Sequence, residues 1–164
     1  LMQFIILAAF FLDAYAFSTE GIVGFSVGRK NKTSFLSIVK NSIQLSFFTA
    51  LIISFLYLLF FKDIINAITS IDVLRFISYK HSIWIIIIPP VASFCYQLDG
   101  IFIGASQTKE IRNAMIVSVL IFIGISIYLT QYFGNHGLWF SLLFFMVLRA
   151  LTLQFYFKKI LRKF

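Results

Sequence analysis

Charge is what this sequence has least of. Only 12% of its 164 residues are charged, six of them acidic, where a soluble domain carries about a quarter. There is one cysteine, Cys95, so no internal disulfide framework exists. No basic residue precedes Arg29, so the first apolar run lacks the basic n-region of a signal peptide, and Asp13 and Glu20 interrupt it. The makings of an enzyme are missing too. His81 and His136 have no partner at metal-ligand spacing, and no Ser, Thr or Cys has a base nearby in sequence, so neither a catalytic residue nor a metal site is expected.

What fills the chain instead is apolar. Hydrophobic residues make up 60% of it, 22 of them Phe, and the mean hydropathy is +0.96, the composition of an integral membrane protein. Apolar stretches at 43–61, 83–105, 114–133 and 138–157 each approach the roughly 20 residues a helix needs to cross the hydrocarbon. Residues 1–28 add a fifth. The predicted fold is all-α, with five transmembrane helices.

The net charge of +8 is a topology signal rather than a nucleic-acid footprint. If the spans alternate, ten Lys and Arg residues in 29–40, 109–112 and 158–163 share one side, and only Lys62, Arg75 and Lys80 lie on the other. The positive-inside rule then puts the C-terminus in the cytoplasm of a multi-pass protein of the plasma (inner) membrane. Anionic lipid is the partner these charges suit, and no nucleic acid is implied.

Between the second and third spans, "KDIINAITSIDVLRFISYKHS" sets Ile64, Ile68, Ile71 and Leu74 at helical spacing among polar residues. An amphipathic helix on the outer surface and a linker helix packed on the bundle both fit. Within the spans, Gly24 with Gly28 and Gly100 with Gly104 are small-xxx-small patterns that let backbones approach. Pro89-Pro90 removes two amide donors mid-span and predicts a bent or broken helix about ten residues before Asp99, with Gly100 adding freedom beyond it.

Four charges lie inside the apolar runs: Asp13, Glu20, Asp99 and Arg149. At a helix centre each costs about 2.5–3.5 kcal/mol, so they are expected to face the bundle interior or a wet cavity. Asp13 and Glu20, seven residues apart, share one helix face about 10 Å apart. Counted back from the ends of their spans, Glu20, Asp99 and Arg149 fall at similar depth, about 9–12 Å in. Arg149 is therefore expected to pair with Glu20 or Asp99, either to support transport or only to lock helices together.

"LDAYAF" and "LDGIFIGAS", with "RNAM" and "GNHGLWFSLLFFMVLRAL", resemble the C-terminal lobe of the multidrug and toxic compound extrusion (MATE) transporters, closest to the DinF-like branch. The resemblance implies a twelve-helix, two-lobed antiporter that exports cationic or amphiphilic small molecules against an H+ or Na+ gradient, with no other cofactor. The five spans would be its eighth to twelfth helices. The N-terminal lobe, in cis or as a separate chain, would then be an obligatory partner, and with no Met at position 1 the chain is expected to be a fragment of something longer. Asp99 matches a tenth-helix aspartate that some members use for cation binding. Asp13 and Glu20 follow the eighth-helix acid pattern, although Ala14 replaces the usual glycine. These three acids are the candidate ion-coupling groups, Asp99 first, with Glu20 expected as the structural partner of Arg149. A flippase for lipid-linked oligosaccharide and a non-transporting remnant of a split gene are the alternatives.

Overall fold

The computed structural model describes residues 1–164 as six helices: α1 Met2–Gly28, α2 Lys32–Ile68, α3 Asp72–Lys80, α4 Ser82–Gly104, α5 Thr108–Phe133 and α6 Asn135–Leu161. All but α3 are long and apolar enough to cross a membrane. Helices α1 and α4 nearly coincide with their apolar runs, whereas α2, α5 and α6 overrun theirs into polar sequence. The extreme case is α2, whose 37 residues measure about 55 Å against a hydrocarbon thickness of about 30 Å. Its start is set by Asn31, whose side-chain oxygen accepts from the Ser34 amide at 2.9 Å, so the helix begins at a cap rather than at the membrane.

Helix ends are closed by local devices. Lys30 and Ser106 take up positive φ angles of 52° and 54°, and the following amides donate back to Ser26 and Phe102, as in a Schellman cap. Gly134, at φ 56° and ψ −134°, is the one residue between α5 and α6, and its conformation suits only glycine.

The amphipathic segment does not form one helix. Ile64 and Ile68 end α2, Thr69 is extended, and a new helix, α3, starts at Asp72. Arg75 makes the corner by donating to the carbonyls of Thr69 and Asn66 at 2.8 and 3.1 Å, satisfying acceptors that the end of α2 leaves free. Pro89-Pro90 does not break α4, which stays helical from Ser82 to Gly104. The prolines deny amide donors to the Ile85 and Ile86 carbonyls, and the Ser93 hydroxyl donates to the Pro90 carbonyl at 2.7 Å just beyond them.

At the centre stands α4, which packs against α1, α2 and α6, while α5 rests mainly on α6. Its closest approach is to α1: a Cβ on Gly100 would strike the Ala16 carbonyl, one on Gly104 would strike the Glu20 carbonyl, and Gly24 lies against Gly104 from the other side. Gly28 meets nothing. One glycine pattern is thus used in full and the other by half, and Gly100 serves the helix crossing. The two contacts advance together, so α1 and α4 run parallel. Lys159 on α6 reaches Glu110 at 3.1 Å, and Lys163 donates to the Ala105 carbonyl at 2.6 Å, bringing the C-terminal tail to the α4–α5 junction. Phe35 stacks near Phe157 and Phe164. All three basic segments therefore gather at one end of the bundle.

Two apolar clusters form the core. One holds Leu12, Ala50, Ala92 and Met146, and the other holds Val23, Val39, Leu98 and Leu153. On α1, α2, α4 and α6 alike, the residues between these pairs belong to neither cluster.

Candidate functional site: a polar layer between two apolar clusters

That gap is where the membrane-embedded polar groups sit. Arg149 lies within it and Asp99 at its edge, one residue past Leu98; they form its charged half, with Arg149 Nη2 donating to Asp99 Oδ2 at 2.7 Å and each side chain 15% exposed. The contact is end-on. Asp99 Oδ1 and Arg149 Nε are buried with no partner, so each member keeps unused capacity that a bidentate Arg–carboxylate pair would have filled.

The uncharged half continues across α1 to α2. Thr19 on α1 bridges to Gln97 on α4, with Oγ1 3.0 Å from Gln97 Oε1 and 2.8 Å from the Tyr15 carbonyl. Thr49 on α2 donates to the Tyr15 hydroxyl at 2.9 Å. Gln97 is fully buried and its Nε2 has no partner, as is true of Ser46 Oγ. Polar contacts thus link α2 to α1, α1 to α4, and α4 to α6 over a band about 9 Å deep, from the level of Gln97 to that of Thr19. The sequence reading followed charge and passed over Tyr15, Thr19, Thr49 and Gln97. An amide in the middle of an apolar span was the signal available for one of them.

Register decides which acids belong to this layer. With Gly100 against Ala16 and Gly104 against Glu20, Asp99 is level with Tyr15. Asp13 then lies about 3 Å toward one end and Glu20 about 7.5 Å toward the other. Asp13 is partly buried and makes no ion pair. Glu20 makes no ion pair either. The expected Glu20–Arg149 partnership does not form, because equal distance from helix ends is not equal depth: α1 runs about eight residues, roughly 12 Å, past the level at which α4 stops.

Beside the ion pair, α2, α4 and α6 frame an open cleft of about 340 Å³ lined by Phe47, Pro90, Phe94, Leu98, Ala150 and Gln154 among others. Leu98 and Ala150 are the chain neighbours of Asp99 and Arg149. An apolar and aromatic cleft next to a charged pair suits an amphiphile.

The two histidines are not isolated. Their rings stack with centroids 4.2 Å apart, and Trp84 Nε1 donates to His136 Nδ1 at 3.0 Å, clamping the start of α4 to the start of α6.

The MatE family model matches residues 1–129. DNA damage-inducible protein F of Escherichia coli (strain K12) is 34% identical over 153 residues, which cover 93% of this chain and 33% of that protein. The chain thus spans about a third of the length of the curated relative it matches. No solved structure matches it. With the family model running over most of its length and that relative aligned along nearly all of it, the chain belongs to the multidrug and toxic compound extrusion (MATE) family of membrane transporters, on its DinF-like branch.

Proposed function

We propose that the chain contributes one lobe's carboxylates to a secondary active antiporter that exports organic cations or other amphiphilic drugs, driven by H+ or Na+. It transports only with the remaining lobe present, in cis or as a separate chain. It works in the plasma (inner) membrane with its C-terminus in the cytoplasm, an orientation supported by the basic segments gathered at one end of the bundle. A cysteine within 134–137 is then labelled by an impermeant reagent from outside, and one at Lys158 is not.

The observation that carries the transport reading is the half-used Asp99–Arg149 pair. Coupling needs a carboxylate neutralised by a different partner in each access state. Asp99 is that carboxylate: it holds Arg149 in one state and a proton or sodium ion in the other, while the released guanidinium is left to the polar layer. Asp13, nearest in depth, is the second acid, and Glu20 stands apart. Three acids against one Arg favour a cationic substrate over the anionic headgroup of a lipid-linked oligosaccharide.

The test is dye efflux from vesicles under an imposed H+ or Na+ gradient. Co-reconstitution with a chain supplying the other helices gives gradient-dependent export of a cationic dye, and Asp99→Asn abolishes it when export is normalised to the amount of folded, inserted protein. No export from the complemented assembly favours the non-transporting remnant. Normal export by Asp99→Asn moves the coupling role to Asp13 or the other lobe.

A further inference from the structure

The transport site makes no use of α3, which is amphipathic in the reverse sense for a helix packed on a protein. At about 100° per residue, Val73, Leu74, Phe76 and Ile77 share one face, with Lys80 at its C-terminal end, and Arg75, Ser78 and Tyr79 the opposite one. The polar face is the one turned to the bundle. Tyr79 donates its hydroxyl to Asn66 Oδ1 at 2.7 Å and lies edge-on to Phe61, while Arg75 holds the end of α2. The apolar face points away: Phe76 is 71% exposed and Val73 67%, and no residue of α3 is buried.

Where the helix sits says what covers that face. It joins the ends of two membrane-crossing helices, so it is held at the surface of the bilayer. The exposed apolar surface of α2 runs through Leu58, Leu59 and Phe60, is interrupted by the exposed Lys62, Asp63 and Asn66, and returns at Ile68 and, after the break, Ile71. Trp84 on the first turn of α4, and Tyr128 and Tyr132 on the last turns of α5, lie at the same end, the aromatic residues expected where hydrocarbon gives way to headgroups. A helix with a strong apolar face and low overall hydrophobicity lies in that plane.

We infer that α3 is an interfacial anchor whose apolar face enters the headgroup–acyl boundary of the lipid bilayer, with the exposed Asp72 and Lys80 left among headgroups. Lipid, not protein, is the partner of Val73, Leu74, Phe76 and Ile77. The anchor fixes the adjoining ends of α2 and α4 at one depth.

Spin labels test this in the full chain carrying Cys95→Ser, reconstituted in vesicles of phosphatidylcholine and phosphatidylglycerol. A label at Phe76→Cys should collide with dissolved oxygen and lose its broadening by a water-soluble nickel chelate. A label at Asp72→Cys should show the reverse. Should Phe76→Cys fail to insert, Ile77→Cys on the same face and, with Trp84 and Trp139 both replaced by Phe, Trp fluorescence of Phe76→Trp quenched by brominated lipid report the same depth. Nickel broadening at the apolar face equal to that at Asp72 puts the face in water and overturns the anchor. Shielding from both reagents means that protein covers it, and overturns it too.

Discussion

Arg149 touches Asp99 with a single Nη2 at 2.7 Å and leaves its own Nε, and the carboxylate's Oδ1, buried and unpaired. Removing one partner of a buried ion pair costs about 3–5 kcal/mol, because the other charge remains without compensation. Arg149→Gln alone should therefore lower the thermal midpoint and folded yield in detergent sharply, and Asp99→Asn added to it should restore much of both. The coupling energy of the double-mutant cycle should exceed about 1 kcal/mol, above the roughly 0.5 kcal/mol of independent sites. Glu20→Gln paired with Arg149→Gln should be additive. Additive effects for Asp99 and Arg149 would show that the pair does not form.

The α1–α4 crossing predicts a graded glycine series. Gly100→Ala and Gly104→Ala place a methyl on the backbone carbonyls of Ala16 and Glu20, where no side chain can give way. Overpacking of this kind costs about 1–3 kcal/mol. Gly124, with open space around it, should accept alanine at no cost or with a gain of up to about 1 kcal/mol. Unfolding titrations in mixed micelles read the difference. A Gly100→Ala protein as stable as Gly124→Ala contradicts the close approach.

The Trp84–His136 hydrogen bond should be sensitive to pH. His136 Nδ1 accepts from the indole, so it must carry no proton, whereas an imidazolium donates from both nitrogens. Protonation removes the acceptor and sets a positive charge beside the stacked ring of His81 and at the N-terminus of α6, where the helix dipole opposes it. Lys80, next to His81 in the chain, adds to the repulsion. In a Trp139→Phe protein, whose one remaining Trp is Trp84, fluorescence should change as the pH falls below the ordinary imidazole range, because desolvation and the neighbouring His81 and Lys80 hold His136 down. The change should vanish in His136→Gln. A flat profile, or the same profile in His136→Gln, means that the clamp is not made.

Some of this was readable from residue order. Apolar runs near 20 residues marked all five crossing helices, because the hydrocarbon demands that length of any helix whatever its neighbours. The Gly100/Gly104 pattern marked a close approach, since only a missing Cβ permits one. The family motifs around Asp13, Asp99 and Arg149 led to the same family that the comparisons show. Of the bend or break expected at Pro89-Pro90, the break does not occur, because two missing amides in a helix packed on three neighbours do not suffice for it. The segment 62–82 was read as one amphipathic unit because periodicity does not register an extended residue such as Thr69.

By itself the sequence determined what each helix must do with its own residues: cross the bilayer, turn four charges away from lipid, and gather basic side chains at alternate ends. Those requirements are local, set by the solvent around a single helix. Which charges meet was decided only by the tertiary structure. Arg149 pairs with Asp99 and not with Glu20 because the Gly100–Ala16 and Gly104–Glu20 contacts slide α1 about 12 Å past the end of α4. No count along either helix contains that offset. It arises where two surfaces lock, as do the His81–His136 stack, the polar layer through Thr19 and Gln97, and the outward turn of the apolar face of α3.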